Sequence, residues 1–273
     1  MITSKFIHAN GLRRHYLRQH ADKPIATLLL LHGLTDAGIY WTPVIEALGN
    51  DYDIVAPDAR GHGLSDVPET GYSAQDHADD VAAFVLALGL HKLIVLGHSM
   101  GGIVATAFAA QHPHLVQAAL FEDPAWLAAE LMPTAEIRKQ VADQWRQDLR
   151  INHALSQDER IAKCRAEHPR WSDEETRLWA ITKQQTREQV MEFLEHPPLD
   201  WRALVKAIQC PALLITGDAS PGVIISPELA QEAQSLNPHL QVAQVRNSSH
   251  GIHRDNFKGY MTAVNEFLGS VRD

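Results

Sequence analysis

Short, almost unbroken apolar runs alternate along the chain with stretches whose apolar residues recur at helical spacing. The first half contains "ATLLLLHG" (26 to 33), "YDIVAPD" (52 to 58) and "KLIVLG" (92 to 97). Runs of this kind suit strands covered on both faces, and the helical patterns between them predict a mostly parallel sheet flanked by helices. "SAQDHADDVAAFVLALGL" places Val81, Phe84, Val85 and Leu88 on one helical face and stops at Gly89. "GIVATAFAAQHP" predicts a closely packed helix after Ser99.

A fourth run, "QAALFEDP" (117 to 124), precedes a region of different character, from about 125 to 205, in which strand signals cease. Ser156-x-x-Glu159 and Ser172-x-x-Glu175 are capping boxes, and Ile137, Val141, Trp145 and Leu149 recur at helical intervals. Five of the six tryptophans fall here, at positions 126, 145, 171, 179 and 201. The region therefore reads as a helical insertion. Strand character returns in "CPALLITGD" (210 to 218), followed by a helix capped by Ser226 with Pro227 in its first turn. "QVAQVR" (241 to 246) predicts the last strand, and Phe257, Met261, Val264 and Leu268 mark a closing helix.

Composition narrows the function without naming it. The 273 residues are 45% hydrophobic and 21% charged, as in ordinary globular proteins, and the formal net charge of −9 disfavours nucleic acid or an anionic membrane as partner. A small-molecule substrate, a monomer or homodimer, and no membrane partner are the expectation. The two cysteines, Cys164 and Cys210, suggest neither a disulfide framework nor a zinc cluster, and a reducing cytoplasm is the simplest expected location. No targeting segment is recognised, and Ile25 to Leu31 is too short to span a bilayer.

The chemistry centres on Gly97-His98-Ser99-Met100-Gly101, a serine between small residues at a strand-to-helix junction. In that context the serine sits on a tight, strained turn with its hydroxyl above the sheet, and any Cβ two positions away on either side would collide. A serine hydroxyl needs a base to accept its proton, for which histidine is suited.

Together with "LLLLHGLTDAG", "APDARGHGLSD", "CPALLITGD" and "SSHGIHRD", the "GHSMGG" stretch resembles the α/β-hydrolase superfamily over nearly the whole chain. The resemblance implies an α/β-hydrolase fold, with a core formed by 1–124 and 206–273 and a helical cap over 125–205. It implies Ser99 as nucleophile and His250 as base, with His253 as an alternative base. It also implies an oxyanion hole from the backbone N–H groups of Leu34 and Met100.

The triad acid is open at this stage. Many relatives carry it three residues after the glycine that ends the penultimate strand, but here Gly217 is followed at that position by Ser220. Asp218 could serve if the loop is redrawn. Asp123 matches the site at the end of the earlier strand used by other relatives; its neighbour Glu122 would face the opposite way. Asp58 and Asp66 are read as structural acids, one of them paired with Arg60, and His62 and His98 as packing and hydrogen-bonding residues.

Trp126 and Trp41 are the candidate pocket residues, and an apolar or aromatic substrate is expected. No cofactor or metal is expected. The reading is a Ser-His-Asp hydrolase of a carboxylic ester or lactone. Two alternatives stand beside it: a carbon–carbon bond hydrolase of ring-cleavage products, and a hydrolase-like ligand receptor with slow turnover. Haloalkane dehalogenase and epoxide hydrolase chemistries are disfavoured, because both need a carboxylate where Ser99 stands.

Overall fold

The computed structural model of the protein describes residues 1–127, 134–218 and 222–271. Its eight strands are β1 (Thr3–Ala9), β2 (Leu12–Gln19), β3 (Thr27–Leu31), β4 (Asp53–Pro57), β5 (Leu93–His98), β6 (Val116–Glu122), β7 (Ala212–Thr216) and β8 (Leu240–Gln244). They form one sheet in the order β1-β2-β4-β3-β5-β6-β7-β8. Pairing is antiparallel at β1/β2 and β2/β4 and parallel from β4 to β8.

Side-chain alternation in the parallel strands feeds two cores. Leu29, Leu31, Val95 and Phe121 face the layer that includes the Ala74–Ala87 and Met100–Gln111 helices, whereas Leu28, Leu30, Leu96 and Leu120 face the Thr42–Leu48 and Phe257–Ser270 helices. Both faces are therefore covered, which is why these strands read as continuous apolar runs.

The β1/β2 hairpin was not expected from the apolar pattern. β1 lies at the sheet edge with most of its side chains exposed, so it carries no apolar run. Its signal is Asn10-Gly11, whose positive φ values of 51° and 73° make the tight hairpin turn.

Between β6 and β7 the described residues form helices without a strand, the longest being Ala135–Ala154, Gln157–Glu167 and Asp173–Gln185. Ser156 and Ser172 cap two of them with complete capping boxes. Both ends of this segment belong to the main core: Trp126 and Trp201 are each 1% exposed and stack with centroids 5.2 Å apart. Residues 128–133 of the expected insertion lie outside the described residues, as does Ser220. Among the described residues no helix is long and apolar enough to cross a membrane.

Candidate active site

β5 runs directly into the Met100–Gln111 helix, and Ser99 at the junction adopts φ 55° and ψ −115°. Such a conformation costs on the order of 1–3 kcal/mol and persists only where the surroundings impose it. Here the surroundings are backbone. A Cβ on Gly97 would come within 2.0 Å of the Gly101 carbonyl oxygen, and one on Gly101 within 2.2 Å of the Leu31 oxygen. The Ser99 N–H donates to Glu122 and its carbonyl accepts from Gly102 and Ala125, so the turn is tied to β6 as well.

His250 lies in the loop between β8 and the Ile252–Asp255 helix. Its Nε2 is 2.9 Å from Ser99 Oγ and its Nδ1 2.6 Å from Asp123 Oδ2. A carboxylate acceptor at Nδ1 selects the tautomer that carries its proton there, which leaves the Nε2 lone pair to accept from the serine hydroxyl.

Asp123 follows β6 with a positive φ of 36°. It is fully buried, and its carboxylate accepts from the backbone N–H groups of Ile224 and Ile225, each at 2.9 Å. The loop after β7 therefore holds the acid that β6 supplies. Asp218 is exposed and, among the described residues, its carboxylate accepts only from the Ser248 N–H, at 3.3 Å. Glu122 turns the other way and accepts from the His253 ring and backbone N–H at 2.8 and 2.9 Å. Burial alone would raise the Glu122 pKa, but the adjoining His253 holds it down to about 2. His253 is thus committed to Glu122 and does not reach Ser99.

His98 is buried and its Nε2 donates to the His250 carbonyl at 2.9 Å. Burial lowers its pKa to about 3, against the opposing pull of Glu122, so it is neutral at ordinary pH. Met100 is the first residue of its helix, and its N–H is one of the terminal donors that lack an intrahelical acceptor. Leu34 lines the cleft beside Ser99.

Three expectations are corrected. Trp126 does not line the cleft: it is buried on the sheet's core and donates from Nε1 to Thr106 Oγ1 at 2.9 Å. Trp41 is also buried, stacked on His253 with centroids 4.8 Å apart. Arg60 pairs with Asp80 at 2.7 Å, whereas Asp58 accepts from His15, Gly38 and Leu64, and Asp66 from the Arg13 N–H. Asp58 and Asp66 do brace the loop they begin and end.

The aromatic lining of the cleft comes instead from Trp145, Trp171 and Trp179, over a volume of about 310 Å³. It is also charged, by Asp36, Lys183 and Arg254. These three went unrecognised in the sequence. Arg254 alone left a signal, standing four residues beyond His250 in "SHGIHRD".

The alpha/beta hydrolase fold family profile matches residues 26–257. This chain belongs to that family. Among characterised α/β hydrolases it is 34% identical over 265 residues to the N-formylmaleamate deformylase of Pseudomonas putida, covering 96% of this chain and 95% of that protein. A second relative, the 2-(acetamidomethylene)succinate hydrolase of Mesorhizobium japonicum, is 33% identical over about half of each chain, 50% of this one and 49% of the other. Among solved α/β hydrolases, the N-formylmaleamic acid deformylase of Pseudomonas putida S16 superposes with a TM-score of 0.79 at 24% identity, over 96% of this chain and all (100%) of that one. E-2-(acetamidomethylene)succinate hydrolase gives 0.81 at 22%, over 98% and 100%. At such identities the structural likeness speaks for the fold.

Proposed function

We propose that the protein is a serine hydrolase in which Ser99, deprotonated by His250, attacks an acyl carbon and forms an acyl-enzyme that water then releases. The observation that carries this reading is the chain of hydrogen bonds from Asp123 through His250 to Ser99, at 2.6 and 2.9 Å. Asp123 orients the imidazole and stabilises its charged form after proton transfer. The amides of Met100 and Leu34 stabilise the oxyanion. His250 then activates the hydrolytic water. The helices of 125–205 serve as the cap whose inner surface selects the substrate.

Esters and lactones are the substrates expected from the sequence. The relatives widen that class: N-formylmaleamate and 2-(acetamidomethylene)succinate are both names of carboxylates bearing an acylated nitrogen, so an N-acyl bond joins the ester as a candidate. A fluorophosphonate probe tests the nucleophile, with labelling expected at Ser99 and lost in Ser99→Ala. Esters, lactones, N-acyl amides and a dienoate ring-cleavage product are then assayed side by side. Ser99-dependent release of acid from the acyl compounds supports the reading. Turnover of the dienoate alone, or ligand binding without turnover, overturns it in favour of carbon–carbon cleavage or a receptor.

A further inference from the structure

Arg254 belongs to the short Ile252–Asp255 helix and lines the cleft together with Ser99 and His250. Its side chain is only 9% exposed and is held from several directions. Nη2 donates to Asp36 at 2.7 Å, Nε donates to His253 Nε2 at 3.2 Å, and the guanidinium lies 3.7 Å from the centroid of the Tyr40 ring. His253 is in turn fixed by Glu122. Two of the three guanidinium nitrogens are therefore committed. The third, Nη1, has no acceptor among the described residues, yet it is not among the polar atoms sealed from solvent without a hydrogen bond. Because Arg254 lines the cleft, this nitrogen is the one left to meet a ligand there.

The charges on the lining lean the same way. Lys183 Nζ donates to Thr35 Oγ1 at 2.6 Å and lies 3.6 Å from Asp36 Oδ1, so Asp36 is shared by two cations. Among the described residues no other carboxylate lines the cleft. Glu122 is behind His253, Asp123 is bound to His250, and Asp255 accepts from Ser249 and Trp171. In a chain of net charge −9, the described lining carries one excess positive charge beside the nucleophile.

We propose that Arg254 Nη1 receives a carboxylate of the substrate, so that Ser99 acts on an anionic acyl compound whose acid group stands apart from the scissile carbonyl. The proposal rests on the reading of Ser99 as nucleophile. A guanidinium fixed before the ligand arrives loses little freedom on binding it, and a charged acceptor makes the stronger hydrogen bond.

The test compares mono-4-nitrophenyl glutarate with its methyl ester, which has nearly the same shape and no charge, using Ser99→Ala to subtract background. The wild-type enzyme is expected to favour the acid at least tenfold in kcat/KM, mostly through KM. Arg254→Gln is expected to abolish that preference and Arg254→Lys to restore part of it. Equal rates on the two esters in the wild type, or a preference that survives in Arg254→Gln, overturns the proposal. If Arg254→Gln does not fold, inhibition of the wild type decides: glutarate should compete at least tenfold more strongly than glutaramide, and equal inhibition counts against. Ser99-dependent turnover without acid preference sinks this inference alone, whereas absence of Ser99-dependent turnover on either ester sinks the reading beneath it.

Discussion

Glu122 and Asp123, neighbours at the end of β6, hold two different histidines: Glu122 accepts from His253 and Asp123 from His250. Successive residues of a strand project to opposite sides. One carboxylate therefore serves the histidine beside the nucleophile, while the other anchors the short helix that follows it.

Substitution should separate the three candidate acids. Asp123→Asn is expected to lower kcat by about 10⁴, the effect of a wrong imidazole tautomer. Asp218→Asn, away from His250, should stay within about threefold of wild type. Glu122→Gln should instead lower stability by about 1–3 kcal/mol, because it disturbs a buried hydrogen-bonded pair. Steady-state kinetics and denaturant unfolding check the set; a large loss of kcat in Asp218→Asn would refute it.

Strain at Ser99 should be measurable. Glycine adopts φ 55° freely whereas alanine does not, so Ser99→Gly is expected to be more stable than Ser99→Ala by about 1 kcal/mol, with both inactive. Equal melting temperatures would show the turn to be relaxed.

The tryptophans should divide by place. Trp126→Ala removes a fully buried ring stacked on Trp201 and is expected to cost about 3–5 kcal/mol of stability. Trp145 is 41% exposed and lines the cleft, so Trp145→Ala should change stability by less than about 1 kcal/mol while shifting KM several-fold. Thermal unfolding together with kinetics distinguishes the two outcomes.

Acid lability follows from the buried groups. The pKa of His98 is lowered to about 3, so as pH falls below about 6.5 the unfolded chain binds a proton that the native state refuses. Stability is then lost progressively down to pH 3. Glu122, held at about 2, adds a second loss as pH falls below about 4.5. Unfolding free energies at pH 7, 5 and 4 should decline in the wild type and decline less steeply in His98→Gln. Parallel curves for the two proteins would exclude His98 as a source.

The core and the nucleophile were legible from local pattern. β3 to β7 announce themselves because parallel strands buried on both faces must be continuously apolar, and Ser99 because its turn tolerates only small neighbours at Gly97 and Gly101. The edge hairpin escaped that reading, since a strand half in solvent has no apolar run to show. Whether Asp123 or Asp218 meets His250 depends on how β6, the loop after β7 and the loop after β8 converge, and that convergence has no local signature. The same holds for Trp41 and Trp126, whose aromatic rings suit a pocket and a core equally well until packing assigns them. It holds most of all for Arg254, Asp36 and Lys183, drawn from three distant segments: only the folded chain brings their charges together beside Ser99.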